Sequence, residues 1–371
     1  MKRALIEWIR CPTCGDQLRL VQEMKWKEAP DGEDEVWEGF LECTTNAHRF
    51  PIIKGVLILV RDFSRYISNR KNIFQKLQEG NISPEMRVYL SDQTTLIDQW
   101  ESDIGEDSVS FFTWAHYDDI KKENILKNAI KSAGIEDIDA LSPQRLYTEI
   151  RDLMPEKIDP SLPALEVGCS VGRMTHVLAE KSRFAIGMDC SFEAIRTARE
   201  IGQSEGYYYY DLRVEGMRNE KRKIDTSSII KKNVEFIVSD AQNLPFPSTF
   251  FGIVLSMNLL DVVQFPIKNL QEVHRVLSVG GYFLMCDPYN WSQASTAKSP
   301  DWIGGKEDGS YAGESSTVLR SLLKNELHFR IDREKDFIPW VLRINQRCFS
   351  VFLVDCLVAV KFRNVPVLSY V

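Results

Sequence analysis

Long hydrophobic runs are missing from this sequence of 371 residues. The most apolar stretches, GVLILV and FSVFLVDCLVAV, are shorter than the roughly 20 residues that a membrane-spanning helix needs. The N-terminal stretch MKRALIEWIRCPTC also lacks the sustained apolar segment of a secretory signal. We therefore expect a cytoplasmic protein that makes no membrane contact.

Positive charge is scarce as well. The chain has 46 Lys and Arg against 53 Asp and Glu, for a formal net charge of −7. This balance weakens unspecific attraction to phosphate backbones, so nucleic acid is not the default partner. The densest basic stretch, RNEKRKI at residues 218–224, is interpreted as a solvated loop, with an RNA-contacting patch as the alternative.

Cysteine is too sparse for a secreted disulfide framework, since the chain has eight and only Cys11 and Cys14 lie at motif-like spacing. Cys43 and His48 follow after the acidic loop APDGEDE. Together the four form a Cys3His set, which is a recognised closed zinc site, so we predict structural zinc. The alternatives are four unrelated residues or a redox CxxC, and no βαβ pattern surrounds the CxxC as a redox site requires.

The chain divides into three predicted regions. Residues 1–60 contain short strands and turns with too little apolar sequence for a core, so a zinc-binding module would draw its folding energy from the metal. Residues 61–157 have a polar, helical pattern and are predicted to be a helical lid or linker. Residues 158–371 alternate apolar strands with amphipathic segments, which is typical of a parallel α/β sheet.

A glycine-punctuated turn, LEVGCSVGR at residues 165–173, brings the backbone close to a ligand. Ser170 stands where a dinucleotide fingerprint has its middle glycine, so the turn is unsuited to a pyrophosphate. A ligand without phosphate, such as S-adenosylmethionine, tolerates this serine. Asp189 ends the next apolar strand, where a carboxylate can accept both ribose hydroxyls. Asp240 ends the strand after that, where it can accept a hydrogen bond from the adenine amino group.

With FFGIVLSMNLLDVV and LQEVHRVLSVGGYFLMCDP, these segments closely resemble the class I S-adenosylmethionine-dependent methyltransferases over about residues 160–290. The resemblance implies an α/β, Rossmann-like doubly wound sheet and S-adenosylmethionine as the cofactor. It also implies cofactor roles: Glu166, Gly168, Cys169, Ser170 and Gly172 on the methionine and ribose side, Asp189 and Cys190 beside the ribose, Asp240 and Ala241 around adenine, and Asn258 facing the methyl group or substrate. An α/β domain with incidental turns is the alternative, and it leaves the two strand-end aspartates unexplained.

Two further resemblances cover the rest of the chain. The first sixty residues, with CPTC and ECTTNAHRFPIIKGVLIL, are similar to the N-terminal zinc module of bacterial ribosomal RNA guanine methyltransferases and to the small activator proteins of tRNA methyltransferases. Residues 205–347 resemble the methyltransferase modules that act on mercaptohistidine in ovothiol formation. The features matched there are Glu215-Gly216, Asn258, Asp261, Pro288-Tyr289, Trp291, residues 302–305, Pro339-Trp340, Arg343 and Arg347.

Five side chains are candidates for contact with a methyl acceptor. Asp261 is predicted first as base or orienting group and Tyr289 second, against the alternatives that Asp261 caps a turn and Tyr289 packs in the core. Arg343 and Arg347 would clamp a substrate carboxylate if their segment were helical, and a surface ion pair is the alternative. His116 would reach the substrate from a helical lid, or else is a packed or surface histidine.

Three functions follow from these observations. The first is methyl transfer from S-adenosylmethionine to a small polar metabolite, with imidazole- or thiol-containing amino-acid derivatives among the candidates. The second is methylation of an rRNA or tRNA base, with the zinc module contacting RNA. The third is a catalytically silent, methyltransferase-like partner protein. The sequence leaves open the nucleophilic atom of the acceptor and the oligomeric state.

Overall fold

The computed structural model describes residues 1–28, 32, 34–68, 70, 82–93, 106–119, 122–124, 127, 128, 132, 141–229, 232–292 and 301–364. The strands are β1 (Leu18–Glu28), β2 (Asp34–Cys43), β3 (Arg49–Ile53), β4 (Val56–Leu59), β5 (Ala164–Val167), β6 (Ala185–Asp189), β7 (Tyr207–Glu215), β8 (Arg218–Asp225), β9 (Val234–Ser239), β10 (Phe251–Met257), β11 (Leu277–Asp287), β12 (Phe329–Asn345) and β13 (Cys348–Lys361). The helices are α1 (Phe63–Ser68), α2 (Pro84–Gln93), α3 (Glu106–Tyr117), α4 (Gln144–Leu153), α5 (Arg173–Ala179), α6 (Phe192–Gln203), α7 (Pro266–Val276) and α8 (Ser315–Asn325).

The centre of the molecule is a parallel sheet within a larger eleven-stranded sheet. Its order is β1-β2-β3-β4-β9-β6-β5-β10-β11-β13-β12, and the run from β4 to β11 is parallel. Every residue of β5 and β10 is buried, because both faces of the sheet are covered. Alternate residues enter different cores: Ala164 packs on one face and Leu165 on the other. The predicted α/β, Rossmann-like fold is confirmed.

The N-terminal strands extend this sheet. β4 pairs in parallel with β9, and β3, β2 and β1 follow outward as an antiparallel meander. Arg199 of α6 forms buried ion pairs with Glu35 of β2, at 2.7 Å, and with Glu235 of β9. The segment predicted as a zinc-binding module is thus hydrogen-bonded edge to edge with the parallel strands. The division of the chain into three regions stays a prediction.

The C-terminal β12–β13 hairpin differs from the helical arrangement that was considered for Arg343 and Arg347. Arg343 lies in β12 and Arg347 in the turn after it, so they do not share a helical face. Arg343 is 1% exposed and pairs with Glu123, at 3.1 Å, and with Glu220, at 3.2 Å. A strand has a two-residue side-chain period, so the four-residue spacing of the two arginines carries no helical meaning here.

The basic stretch at residues 218–224 corrects one prediction. It forms most of β8, which pairs with β7 in a two-stranded hairpin, and is not a loop. Arg218, Lys221 and Lys223 are exposed, whereas the Arg222 side chain is only 13% exposed. Several of them pair with nearby acids, such as Lys221 with Asp211 at 2.9 Å.

Helices α1 to α4 fall in the region predicted to be helical, and part of that region lies outside the described residues. The helices α3 and α4 pack against β12. Among the described residues no helix is long and apolar enough to cross a membrane.

Candidate functional site

A cavity of about 760 Å³ opens at the carboxyl ends of the parallel strands. In open α/β sheets ligands bind at this edge, at the point where the order of the strands changes direction, which here lies between β5 and β10. One side of the cavity is formed by residues that follow successive strands: Gly168 after β5, Cys190 after β6, Asp240 after β9 and Asn258 after β10. We call this side the strand-end half.

The opposite side comes from elements distant in sequence. Phe112 and His116 lie on α3, Tyr147 on α4, and Trp340 and Phe352 on the β12–β13 hairpin, and all five line the cavity. The Trp340 and Phe352 rings pack together with centroids 5.2 Å apart. We call this side the aromatic half. Of these five residues, only His116 and Trp340 stand out in the sequence, and β12 and β13 carry no motif that would mark Phe352.

The turn between β5 and α5 has the left-handed backbone that its glycines allow. Gly168, Ser170 and Gly172 have φ values of 75°, 47° and 81°. A Cβ on Gly168 would lie 2.9 Å from Leu259, and one on Gly172 would lie 2.5 Å from Phe236. The turn therefore excludes larger residues at both glycines.

The members of this turn separate into two groups. Glu166, Gly168 and Ser170 line the cavity. Cys169 is fully buried, and Gly172 packs against Phe236, so neither belongs to the lining.

Asp189 is fixed at the end of β6 by main-chain donors. Its carboxylate accepts hydrogen bonds from the amides of Ser170, at 3.0 Å, and Ser191, at 2.8 Å. Burial raises its pKa. The neighbouring Cys190 is exposed and also lines the cavity.

Glu166 is a buried carboxyl in the cavity wall. It accepts a hydrogen bond from the Thr175 hydroxyl, and burial raises its pKa to about 8. At pH 7 most of this carboxyl is therefore protonated. A cationic ligand group nearby would favour its ionised form.

The far end of the strand-end half holds Asp240 and Ala241. The Asp240 carboxylate accepts hydrogen bonds from the amide of Gln242, at 2.8 Å, and from its side chain, at 3.1 Å. Two buried wall atoms, Ser170 Oγ and Asn258 Oδ1, have no hydrogen-bond partner within the described part of the chain. Buried polar atoms normally have partners, so a bound ligand is expected to supply them.

The two predicted catalytic residues lie in different surroundings. Asp261 lines the cavity and accepts a hydrogen bond from the Asn290 amide at 2.7 Å. Tyr289 donates its hydroxyl to Asp355 at 2.7 Å and is not part of the cavity lining.

Asp287 is a site residue that sequence reasoning missed. This fully buried carboxyl group accepts hydrogen bonds from the amides of Leu260 and Tyr289, each at 2.8 Å. It thereby fixes both loops that carry the predicted catalytic residues. Burial and the nearby Asp261 raise the pKa of Asp287, and burial raises that of Asp261. Its position at the end of the strand GGYFLMCDP was the available signal.

The four predicted zinc ligands come together at the edge of the N-terminal strands. Cys11 Sγ lies 3.4 Å from His48 Nδ1, Cys14 Sγ lies 3.4 Å from Cys43 Sγ, and all four ligand atoms fall within 4.8 Å of one another. Tetrahedral zinc with Zn–S bonds of about 2.3 Å places its ligand atoms roughly 3.8 Å apart, so the cluster fits such an ion.

The turn that carries Cys11 and Cys14 touches the loop after Asp240. The Pro12 carbonyl accepts hydrogen bonds from the Asn243 side chain, at 2.6 Å, and the Arg61 side chain, at 2.8 Å. The Arg10 amide donates to the Pro245 carbonyl at 2.8 Å. The Cys3His cluster is thus connected through its own turn to the strand-end half.

Comparison with known proteins identifies the central part of the chain. Residues 165–285 match the family model of a methyltransferase domain. The chain therefore contains a methyltransferase domain.

Its relatives are methyltransferases of varied acceptors. It is 39% identical over 59 residues, 16% of this chain and 23% of the relative, to the ubiquinone/menaquinone biosynthesis C-methyltransferase UbiE of Coxiella burnetii. It is 24% identical over 181 residues, 48% of this chain, to norajmaline N-methyltransferase of Rauvolfia serpentina. The chain spans half of that enzyme's length. The crystal structure of a SAM-dependent methyltransferase from Methanosarcina mazei is 21% identical, with a TM-score of 0.37, and the match covers 59% of this chain and 99% of that chain.

Proposed function

We propose that the protein transfers a methyl group from S-adenosylmethionine to a small polar metabolite. The observation that carries the proposal is one cavity that combines strand-end carboxylates with a wall of aromatic side chains. Its volume of about 760 Å³ falls within the roughly 300–1,000 Å³ of small-molecule sites.

The strand-end half would hold the donor, whose sulfonium supplies an electrophilic methyl group. Asp189 would bind the ribose hydroxyls and Asp240 the adenine amino group. Glu166, Ser170 and Asn258 would surround the methionine part. The unpartnered Ser170 Oγ and Asn258 Oδ1 support this assignment, because both need a polar ligand group.

The aromatic half would hold the methyl acceptor. Imidazole- and thiol-containing amino-acid derivatives are among the candidate acceptors. Positioning and exclusion of water supply most of the acceleration of such an in-line transfer. Asp261 is the base or orienting group best placed for it, because it faces the cavity and has a pKa raised by burial. Tyr289 would act through the loop it shares with Asp287, since its hydroxyl already binds Asp355.

A structural zinc ion would be held by Cys11, Cys14, Cys43 and His48. All four positions of a tetrahedral ion are then filled by protein, which suits a structural and not a catalytic role. The ion would stabilise the turn that contacts Asn243 and Pro245.

RNA methylation is the second candidate function. It is favoured by the β7–β8 hairpin, where Tyr207 and Tyr209 are 49% and 61% exposed beside the basic residues of β8. Exposed aromatic rings next to cationic side chains suit single-stranded nucleic acid.

Calorimetric titration with S-adenosylmethionine tests the proposal. The wild type should bind with micromolar affinity, Asp189→Ala should lose it, and Asp332→Ala, an exposed aspartate of β12, should bind as the wild type does. If the wild type does not bind S-adenosylmethionine, the proposed methyltransferase function is contradicted. Release of S-adenosylhomocysteine with imidazole and thiol metabolites, measured beside ribosomal RNA and tRNA, then separates the two acceptor classes.

A further inference from the structure

Among the residues that line the cavity, His116 carries an unused hydrogen-bonding atom. It lies in the last turn of α3, is 7% exposed and lines the aromatic half. Its Nδ1 is buried and has no hydrogen-bond partner among the residues that the structure describes. Such an atom has lost its water without gaining a protein partner, and this is unfavourable unless a ligand supplies one.

The position of His116 is fixed from several directions. Its carbonyl accepts hydrogen bonds from the side chains of Arg173 and, at 3.4 Å, Gln144. Its ring lies beside that of Tyr147, with centroids 5.1 Å apart. The next residue, Tyr117, donates its hydroxyl at 3.0 Å to the carbonyl of Val171 in the glycine-punctuated turn.

The residue after α3 anchors the helix end further. The Asp118 carboxylate accepts a hydrogen bond from the Tyr210 hydroxyl at 2.7 Å and pairs with Lys122 at 2.6 Å and Arg222 at 3.6 Å. These contacts hold the end of α3 against the β7–β8 hairpin. The imidazole is therefore positioned before any ligand enters.

The charge state of the ring is set by its surroundings. Burial and the guanidinium of Arg173 lower the pKa of His116 to about 3. The ring is thus neutral at physiological pH, with one nitrogen as hydrogen-bond acceptor and the other carrying the hydrogen. In water the hydrogen of neutral imidazole favours Nε2, and we assign that tautomer here, so Nδ1 is the acceptor.

We propose that His116 Nδ1 accepts a hydrogen bond from an N–H group on a planar, uncharged ring of the methyl acceptor. Phe112, Trp340 and Phe352 provide apolar faces for such a ring in the same half of the cavity. An anionic group is disfavoured at this position because the lone pair of Nδ1 would repel it. The inference rests on the proposed function, names the acceptor's recognition element, and makes His116 a residue that selects the substrate.

A matched pair of small probes tests the hydrogen bond. Pyrazole is planar, neutral at pH 7 and carries one N–H, and 1-methylpyrazole lacks that donor. Protein-detected NMR titrations with and without saturating S-adenosylhomocysteine would give both affinities. We expect the wild type to bind pyrazole about tenfold more tightly than 1-methylpyrazole, as for one buried hydrogen bond.

Three variants assign the effect to this residue. His116→Phe keeps a planar ring without a nitrogen and should abolish the preference. His116→Gln restores an acceptor oxygen and should recover part of it. His274→Gln removes a second buried histidine, whose Nε2 contacts the Arg363 carbonyl away from the cavity, and should keep the full preference. Unfolding temperatures of all variants show whether each one is folded.

Two results would overturn the inference: equal affinities for the two probes in the wild type, or a preference that persists in folded His116→Phe. A steric penalty on the probe's methyl group would produce the second result, so the variant separates it from a hydrogen bond. Failure of the wild type to bind S-adenosylhomocysteine would instead contradict the proposed function, and the titrations without it would still report on His116.

Discussion

The two halves of the cavity are built in different ways. The strand-end half takes its polar groups from residues 166–261, at or after the ends of β5, β6, β9 and β10, and fixes Asp189 and Asp240 mainly through nearby amides. The aromatic half assembles α3 and α4 with the β12–β13 hairpin, which follows them in the chain only after the parallel strands β5, β6, β9, β10 and β11. One half therefore depends on local turns and the other on tertiary packing, and variants should affect them separately.

The largest effect is expected when a large side chain of the aromatic half is removed. Trp340 is 8% exposed and packs on Phe352, so Trp340→Ala should lower the free energy of unfolding by about 3 kcal/mol. It should also abolish probe binding while leaving the affinity for S-adenosylhomocysteine within about threefold, because no strand-end group is changed. Denaturant unfolding and calorimetry would measure both. Trp26→Ala, at a position 62% exposed on β1, is the control.

The opposite experiment removes a strand-end group. Asp189→Ala should weaken binding of S-adenosylhomocysteine by about 100-fold, since a charged hydrogen-bond acceptor for the ribose is lost. Binding of pyrazole should not change, because Asp189 lies in the other half. Equal losses for both ligands would mean that the halves are not independent. Asp189→Asn, which keeps one acceptor oxygen for the amides of Ser170 or Ser191, separates lost binding from a disturbed turn.

This contrast also explains how much could be predicted from the sequence. The strand-end positions of Asp189 and Asp240 could be predicted because each follows an apolar run directly, and the Cys3His cluster because a second pair, Cys43 and His48, follows the motif-like pair Cys11 and Cys14. Their roles toward S-adenosylmethionine and zinc stay predictions. The aromatic half could not be assembled, because β12 and β13 reach it only by pairing at the edge of the sheet. Arg343 could not be placed for the same reason: the helical face considered for it does not form in this strand, and its partners Glu123 and Glu220 come from distant segments.

A third prediction concerns whether the Cys3His turn stabilises the strand-end half. Asn243 donates to Pro12 of the Cys3His turn at 2.6 Å, so Asn243→Ala should weaken binding of S-adenosylhomocysteine by up to about tenfold. Coupling between the binding free energies of two sites is reciprocal, so bound S-adenosylhomocysteine should raise the zinc affinity of the wild type, and should raise that of the variant less. Zinc affinity by competition with a chelator, and calorimetry, are the measurements. Asn325→Ala, on an exposed helix end, should change none of them.

The smallest expected effect concerns the protonation of Glu166. Its folded pKa of about 8 lies above the usual value of 4.5, so at pH 7 about a tenth of the carboxyl is ionised and at pH 8 about half. If the ionised form binds the cationic donor, the affinity for S-adenosylmethionine should rise about fivefold from pH 7 to pH 8, with release of a proton on binding. Calorimetry in buffers of different ionisation enthalpy measures both quantities. Glu166→Gln should bind with little dependence on pH, and an unchanged pH profile in this variant would assign the proton to another group. Because Trp340→Ala leaves Glu166 in place, this variant should keep the wild-type dependence of affinity on pH. Proton release on binding would then report on the strand-end half alone.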